Sequence, residues 1–205
     1  MPSKRIADRN ILVICISGYA GSGKSTLAQY LKEKGFCIIS ADELGHRALS
    51  IAKEEIKNTF GSDVVSKTGD ILRQKLREKL KTEEDWRKLE QITHPVILKL
   101  LREELERSKK KICFVDVAIP FTTGIYRICN VMIKVDAPIK VLKKRLLQRG
   151  LNKEFIENVL KKQSYDMNRE YDYIIENNNE DLNYFLEKAY RIIQKIIKSY
   201  RLKIS

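Results

Sequence analysis

The chain has 205 residues, of which 43% are hydrophobic and 33% are charged, and its formal net charge is +13. This length predicts one α/β domain with insertions rather than two independent hydrophobic cores. No apolar run approaches the length of a membrane-spanning helix, so we expect no membrane segment. The charge favours nucleic acid, an anionic membrane or small polyanionic substrates as partners. Because Lys and Arg are interspersed with Glu and no nucleic-acid recognition motif accompanies them, we expect small-molecule substrates.

The cysteine and histidine pattern predicts neither disulfides nor a zinc site. No two cysteines stand at C-x-x-C spacing, and the two histidines complete no zinc pattern. These residues are Cys15, Cys37, Cys113, Cys129, His46 and His94. All four cysteines lie in or beside apolar runs, which indicates buried free thiols and a reducing, cytoplasmic compartment. The first ten residues are polar and contain no apolar stretch typical of a signal peptide.

The first predicted elements are a strand, a glycine-rich loop and a helix. The run Ile11–Ile16 is continuously apolar, as in a strand buried on both faces. Residues Thr26–Lys34 predict a helix with Gly35 at its C-terminal end. Between them, Gly18–Ser25 fits the pattern G-x-x-x-x-G-K-[ST]. Chance should produce the four matched positions in well under ~1% of chains of this length. The sequence therefore predicts a nucleoside triphosphate site.

The chemistry of this loop follows from its backbone and two side chains. Backbone N–H groups wrap a phosphate, and the dipole of the following helix adds to the attraction. Lys24 can reach the β- and γ-phosphates, and the Ser25 hydroxyl can bind Mg²⁺. We therefore predict that a nucleoside triphosphate with Mg²⁺ lies on six loop residues: Gly21, Ser22, Gly23, Lys24, Ser25 and Thr26.

Further strands are predicted to alternate with helices along the rest of the chain. They are Phe36–Ser40, Ile112–Val117, Val131–Asp136 and a shorter one at Tyr173–Ile175. This alternation favours a parallel sheet, so the predicted fold class is α/β: a P-loop fold with a five-stranded parallel sheet flanked by helices. Ala137-Pro138 predicts a helix start with Pro138 in the first turn. Apolar residues at helical spacing over 181–200 predict a last helix packed on the sheet.

A long helical insert is predicted between the second and third strands, from about residue 44 to about residue 110. It is too long for a simple crossover. The stretches 61–63 and 68–70 should interrupt its helices, and Thr82 with Asp85 resembles a capping box before another helix. An insert at this point is a natural place for substrate specificity.

Two aspartates follow predicted strands at the sheet edge where parallel α/β folds bind ligands. Asp42 follows the second strand and could accept the proton of an attacking hydroxyl, but Asp is also a favoured N-cap residue. Asp116 ends the third strand and could hold Mg²⁺ through water, or it could cap the following segment. Spacing alone leaves both pairs of alternatives open.

Basic residues later in the chain have two interpretations each. Arg145 and Arg149 are four residues apart on the helix after Pro138, so they share one face. They could clamp a transferring phosphoryl group or belong to a solvated basic surface. His94 precedes Pro95, which disfavours helical backbone at His94. Its imidazole could contact a substrate or have a structural role.

Together these features closely resemble one family, the dephospho-coenzyme A kinases, which catalyse the last step of coenzyme A synthesis. The loop is common to many nucleotide-binding enzymes, whereas the His-Pro-x-Ile element and the spacing of the two arginines are more specific. The matching elements run through nearly the whole chain: Gly18–Thr26, Ala41-Asp42, Phe60-Gly61, Thr93–Ile97, Val135–Pro138, Arg145–Gly150, Gln163 and Asp172–Asn177.

The resemblance implies a sheet like that of nucleoside monophosphate kinases in a single domain, 1–205, with a helical acceptor-binding insert and a lid at about 140–165. It implies that Asp42 is the base for the ribose 3′-hydroxyl and that Lys24 and Arg145 stabilise the transferred phosphoryl group. Arg149 would join the ATP site and His94 the substrate site. The chain departs from the family pattern at Ser40, where an acidic residue is usual, and at Val117–Thr122, where Pro-Leu-Leu and then Glu are usual.

Three functions are compatible with the sequence. The first is ATP-dependent phosphorylation of dephospho-coenzyme A, giving coenzyme A and ADP. The second is a P-loop kinase that acts on another nucleoside, nucleotide or metabolite, which the unusual stretch Val117–Thr122 motivates. The third is a nucleic-acid-associated NTPase, suggested by the net charge. A GTPase is disfavoured because no base-reading N-K-x-D motif follows a late strand.

Overall fold

The structure, a computed structural model, describes residues 11–178 and 181–204, with side chains up to residue 200 in the last helix. The predicted polar segment at residues 1–10 lies outside the described residues. The chain divides into two compact units. The sheet unit comprises the described residues of Met1–Ile39 and Ser108–Ser205, and the helical unit comprises Ser40–Arg107.

A five-stranded parallel sheet organises the sheet unit, as predicted. The strands are β1 (Leu12–Ser17), β2 (Cys37–Ser40), β3 (Ile112–Asp116), β4 (Val131–Asp136) and β5 (Tyr173–Glu176). Their order is β2-β3-β1-β4-β5, with parallel ladders joining β1 to β3 and β4, and β4 to β5. The central strand β1 is buried throughout, which is why its sequence is continuously apolar.

Helices occupy most of the remaining chain. In order they are α1 (Lys24–Glu33), α2 (Ala41–Ile51), α3 (Lys53–Phe60), α4 (Arg73–Lys79), α5 (Glu83–Arg107), α6 (Pro120–Thr123), α7 (Ile139–Gln148), α8 (Lys153–Met167) and α9 (Leu182–Ile204). Among these described segments, none is both long and apolar enough to cross a membrane.

The main core of the sheet unit lies between the sheet and two helices, α1 and α9. Leu27 and Leu31 of α1 pack with the strands, and so does the apolar face of α9, which includes Phe185, Ala189 and Ile193. This packing confirms the predicted role of the last helix. Leu182, which the pattern placed on the same face, is instead 50% exposed in the first turn.

The ends of two helices show how local sequence sets their limits. Helix α1 ends at Glu33, and Gly35 follows it in the predicted C-terminal position, next to a capping bond from the Phe36 amide to the Leu31 carbonyl. Pro138 was predicted in the first turn of α7, but it stands one position earlier as the N-cap, with extended backbone at φ −55° and ψ 140°.

The helical unit consists of α2 to α5 with a short irregular connection. Gly61 ends α3 and precedes a 3₁₀ turn at Ser62–Val64, and an isolated antiparallel bridge joins Val65 to Ile71. The chain therefore leaves the helix at both predicted interruptions. A separate small core holds the unit together, formed around Ala52, Ile56, Val64, Leu76 and Ile92.

The start of α5 confirms the predicted capping box. The Thr82 hydroxyl accepts from the Asp85 amide at 3.1 Å, and the Asp85 carboxylate accepts from the Thr82 amide at 2.9 Å. The expectation of non-helical backbone at His94 is wrong, because α5 runs through Pro95 without a break. Buried Ile92, Ile97, Leu100 and Leu101 line the helix on both sides of the proline, so their packing outweighs the local preference against helix.

Candidate functional site

The glycine-rich loop follows β1 at the carboxyl edge of the sheet. The Ser22 amide donates to the Tyr19 carbonyl at 3.0 Å, which closes a tight turn, and the Leu27 amide donates to the Gly23 carbonyl at 2.9 Å as α1 begins. The loop is thus followed directly by the N-terminus of α1, where free backbone N–H groups and the helix dipole favour an anion.

Two glycines of the loop are required by close approach. A Cβ at Gly18 would overlap the Val135 carbonyl oxygen of β4. Gly23 has φ +102°, and a Cβ there would lie 2.5 Å from Asn177 Nδ2. Both the left-handed backbone and the crowding exclude other residues at Gly23. The glycine spacing of the motif is therefore set by neighbouring strands and loops as well as by space for a phosphate.

Lys24 lies in the first turn of α1 and reaches across to the end of β3. Its Nζ is 3.0 Å from Asp116 Oδ1, and both side chains are largely buried. The same Nζ is 3.4 Å from the Ser25 hydroxyl. Asp116 therefore lies next to the loop residue Lys24, which also contacts Ser25, and does not cap the segment that follows it.

The oxygen atoms at this point are suited to Mg²⁺. Hydroxyl and carboxylate oxygens are hard ligands, and Mg²⁺ commonly takes one or two protein groups together with substrate phosphates and water. Within the described residues, the buried Asp116 Oδ1 atom accepts no aligned hydrogen bond, although Lys24 Nζ lies 3.0 Å from it. Within the described part of the chain, no group of three or more His, Cys, Asp or Glu side chains could hold a metal by itself.

Arg145 is brought to the loop by the packing of α7. Leu142 and Leu146 on that helix are buried in a small cluster with α8, against which Tyr19 and Ala20 of the loop also pack. The Arg145 guanidinium then donates from Nη1 to the Gly21 carbonyl at 3.2 Å. Its Nη2 atom donates to the Asn177 carbonyl at 3.2 Å and to Asn177 Oδ1 at 3.3 Å.

One depression collects most of the residues that the sequence assigned to ATP. Its lining includes both arginines, Arg145 and Arg149, and its volume is about 180 Å³. Arg149 is exposed at the C-terminal end of α7. The remaining lining residues are Gly21, Gly23, Thr26, Asn177 and Leu182. The two arginines therefore border the same depression.

Gln163 supports the loop from α8. Its Oε1 atom accepts a hydrogen bond from the Ala20 amide at 2.9 Å. The amide of a loop residue is therefore satisfied by a side chain more than a hundred positions away in the sequence. This contact assigns Gln163 a role in holding the loop.

The segment Val117–Thr122, which departs from the family pattern, is fixed by a buried carboxylate of α8, Asp166. Asp166 Oδ1 accepts from the Phe121 amide at 2.6 Å and the Thr122 amide at 3.1 Å, and Oδ2 accepts from the Thr122 hydroxyl at 2.5 Å. Asp166 is fully buried. The Tyr171 hydroxyl donates to the Asp166 carbonyl and contacts Ser17 Oγ, and burial raises the pKa of Tyr171 well above its usual value. Sequence analysis missed this network because an isolated Asp carries no local signal.

Asp42 belongs to the helical unit, in the first turn of α2. The N-cap is Ser40, whose Oγ accepts from the Glu43 amide at 3.3 Å. The interpretation of Asp42 as the N-cap is therefore wrong, because the residue two positions earlier performs that role. The Asp42 side chain is exposed and is not used to cap the helix.

His94 is half-buried on α5, within the same unit. It borders a depression of about 460 Å³, together with Arg87, Glu90, Gln91 and Pro95. The lining includes one positive and one negative side chain, Arg87 and Glu90. The preceding Thr93 hydroxyl donates to the Leu89 carbonyl at 2.8 Å, which ties that side chain to the helix backbone.

The comparisons with known proteins agree with this geometry. The family model described as dephospho-CoA kinase matches residues 12–183. The chain belongs to the dephospho-CoA kinase family. A dephospho-CoA kinase of Fusobacterium nucleatum is 35% identical over 182 residues, which is 84% of this chain and 94% of that protein. One from Aquifex aeolicus is 32% identical over 190 residues, covering 89% of this chain and 94% of that protein.

A solved structure of the dephospho-CoA kinase family is similar throughout its length. The dephospho-CoA kinase from Campylobacter jejuni superposes with a TM-score of 0.67 at 28% identity, covering 91% of this chain and 98% of the other. The family match includes the loop, the Arg145 helix and the Asp172–Asn177 element. In this element Asp172 Oδ2 accepts from the Met132 amide at 2.7 Å, which ties the start of β5 to β4.

Proposed function

We propose that this dephospho-CoA kinase transfers the γ-phosphoryl group of ATP to the ribose 3′-hydroxyl of dephospho-coenzyme A, the last step of coenzyme A biosynthesis. The observation that carries the proposal is the meeting of Lys24 and Arg145 at one glycine-rich loop in a chain whose family match covers residues 12–183. A second cation from a distant helix distinguishes a phosphoryl-transfer site from a simple phosphate-binding turn.

ATP binding is assigned to the loop and to the two arginines. The backbone of Gly21–Thr26 would hold the phosphates, with Lys24 at the β- and γ-phosphates. Arg145 and Arg149 would neutralise the charge that develops on the transferred group. The depression that Gly21, Gly23, Thr26 and the two arginines border supports this assignment.

Mg²⁺ is the metal that the donor set fits best. Ser25 would bind it through its hydroxyl, and Asp116 would hold it directly or through water. The ion supplies neutralisation of phosphate charge when it is bound. Lys24, which lies between both side chains, would keep the local charge balanced.

The acceptor chemistry is assigned to Asp42. Its carboxylate would take the proton of the 3′-hydroxyl while that oxygen forms a bond to the γ-phosphorus. The bond from the γ-phosphorus to the β–γ bridging oxygen breaks, and ADP leaves. This assignment is supported by the position of the N-cap. Because Ser40 caps α2, the Asp42 carboxylate is not used for capping. His94 is proposed as an acceptor contact, because it borders a depression in the unit inserted between β2 and β3.

The division of labour within the single domain is also a proposal. The helical insert, predicted at about 44–110, would bind the acceptor, and α7 with α8, within about 140–165, would act as a lid over the phosphates. The partners would be small molecules without nucleic acid, because the basic residues are interspersed with acidic ones. The four cysteines form no disulfide within the described part of the chain, which is compatible with a reducing, cytoplasmic compartment.

A coupled assay of ADP release from ATP and Mg²⁺, with and without dephospho-coenzyme A, tests the proposed function. Turnover that depends on this acceptor is expected. A panel of nucleosides, nucleotides and other hydroxyl compounds serves as the control. Turnover with one of these and none with dephospho-coenzyme A would contradict the proposal, and would assign the segment Val117–Thr122 to a different acceptor.

A further inference from the structure

Asn177 is a buried residue that the reaction described above does not use. It follows β5 directly, is 6% exposed and ends the family element Asp172–Asn177. A buried side-chain amide must satisfy both its donor and its acceptor, or its burial is costly. The hydrogen-bond partners of Asn177 therefore indicate its role.

Two donors of Asn177 connect separate parts of the site. Its backbone amide donates to the Asp136 carbonyl at the end of β4, at 2.7 Å. Its side-chain Nδ2 donates to the Ser22 carbonyl in the phosphate loop, also at 2.7 Å. The residue is thus fixed to the sheet by its backbone and to the loop by its side chain.

The two oxygens of Asn177 face Arg145. Arg145 Nη2 donates to the backbone oxygen at 3.2 Å and to Oδ1 at 3.3 Å, while its Nη1 donates to the Gly21 carbonyl. The orientation of the amide follows from these partners, since the Ser22 carbonyl can only accept and Arg145 can only donate. One neutral side chain therefore joins the loop to the guanidinium.

We propose that Asn177 is a positioning residue that holds Arg145 against the phosphate loop and so prepares both for a triphosphate; this rests on the proposed use of Arg145 in ATP binding. Asp would replace the donor that meets the Ser22 carbonyl with an acceptor, and it would add a negative charge beside the phosphates. A shorter side chain would leave both partners without the bond. The contact at Gly23, where a Cβ would lie 2.5 Å from Nδ2, shows that the amide is packed directly on the loop.

Equilibrium binding of ATP–Mg²⁺ to the full chain, measured by calorimetry without acceptor, tests this role. Asn177→Ala should weaken binding about tenfold or more, because a charged group loses part of its hydrogen bonding. Asn177→Asp should bind no better than Asn177→Ala. The matched control is Asn183→Asp, which adds the same charge on an exposed position in the first turn of α9 and should change binding less than about twofold.

A double-mutant cycle with Arg145→Ala separates positioning from a merely structural role. Each single substitution raises the dissociation constant of ATP–Mg²⁺ by some factor. If Asn177 acts through Arg145, the factor for the double variant should be at least about fivefold smaller than the product of the two single factors. All variants are compared at a temperature at which circular dichroism shows each of them folded. If the factor for the double variant agrees with that product within about twofold, the two residues act independently and the proposal is overturned. So would wild-type affinity in Asn177→Asp, since that result would assign Asn177 only a space-filling role.

The binding assay is independent of the acceptor. Wild-type turnover with dephospho-coenzyme A, measured in parallel, reports on the proposed function. If the wild type binds ATP but does not phosphorylate dephospho-coenzyme A, the proposed function is contradicted. The double-mutant cycle on ATP binding can still be interpreted in that case. Uncoupled effects in an enzyme that turns over would contradict the positioning role alone.

Discussion

Lys24 and Arg145 reach the phosphate loop by different routes. Lys24 belongs to the motif itself and is held beside Asp116 by an ion pair. Arg145 arrives from α7 and uses both terminal nitrogens on carbonyl and amide oxygens around the loop. Lysine supplies a compact point charge, whereas arginine supplies a planar set of donors with fixed directions. The two cations therefore have distinct tasks at one site.

Arg145→Lys tests that distinction. One ammonium group cannot serve acceptors that two separate nitrogens now reach. We expect kcat to fall about 100-fold, the effect typical of losing a donor that stabilises the transition state. Arg191→Lys is the matched control, because Arg191 is exposed on α9, and it should keep full turnover. A kcat for Arg145→Lys within about threefold of the wild type would show that charge alone suffices.

Asp42→Asn tests the proposed base. The amide keeps the size of the side chain but cannot take the proton of the acceptor hydroxyl. We expect kcat to fall by about 10²–10⁴ while the dissociation constant of ATP changes less than about twofold. Glu43→Gln removes the same charge from the adjacent exposed position and should leave kcat near that of the wild type. Near-normal turnover of Asp42→Asn with intact ATP binding would exclude the base role.

Among the elements, α8 has an anchoring role at its C-terminal end. Gln163 holds the Ala20 amide of the phosphate loop. Asp166, less than one turn further on, holds the Phe121 and Thr122 amides of the segment after β3. One helix end therefore fixes both the phosphate loop and the short helix α6 that follows β3. Any movement of a lid formed by α7 and α8 must leave this end in place or break these bonds.

Asp166→Asn should lower the free energy of unfolding by about 2–3 kcal/mol. The substitution removes a buried charge that accepts from three donors, and it turns one acceptor into an NH₂ group facing donors. Urea unfolding followed by circular dichroism measures the loss. Glu170→Gln, at an exposed position four residues further on, is the control and should change stability by less than about 0.5 kcal/mol. Equal stabilities for the two variants would contradict the anchoring role.

The capping box of α5 predicts a dependence of stability on acid. Hydrogen bonds from the Thr82 hydroxyl and amide lower the pKa of Asp85 below its usual value. A lowered folded-state pKa stabilises the fold above the unfolded-state value, and this contribution is lost as pH falls through the folded-state value. Urea unfolding at a series of acidic pH values should show a smaller loss for Asp85→Asn than for the wild type. Parallel pH curves would contradict the prediction.

For the whole molecule, the parts that could be predicted from sequence are those with local signals. The strands are short apolar runs, and the loop is a contiguous motif, so both follow from neighbouring residues. The family resemblance points to Asn177 and Gln163, but no local signal predicts their contacts, because their partners Ser22 and Ala20 lie 155 and 143 positions away. Local preference also failed at His94, where tertiary packing carries α5 through Pro95. Long-range hydrogen bonds and packing were therefore the parts that needed the structure.

The net charge of +13 also belongs to this scale. Both proposed substrates, ATP and dephospho-coenzyme A, are polyanions, and an excess of Lys and Arg raises their concentration near the protein. The cations proposed to act on the phosphates are nevertheless few. Lys24 and Arg145 are distinguished from the other basic residues by their contacts at the loop, which the total charge does not reveal.

The most direct test of the central claim follows the phosphoryl group itself. ATP labelled in the γ-phosphate is supplied with dephospho-coenzyme A or with its 3′-deoxy analogue, and the products are separated and identified by mass spectrometry. The proposed reaction predicts label in coenzyme A at the 3′ position and no labelled product from the analogue. Label that appears only in inorganic phosphate, or equally in the product of the 3′-deoxy analogue, would contradict it.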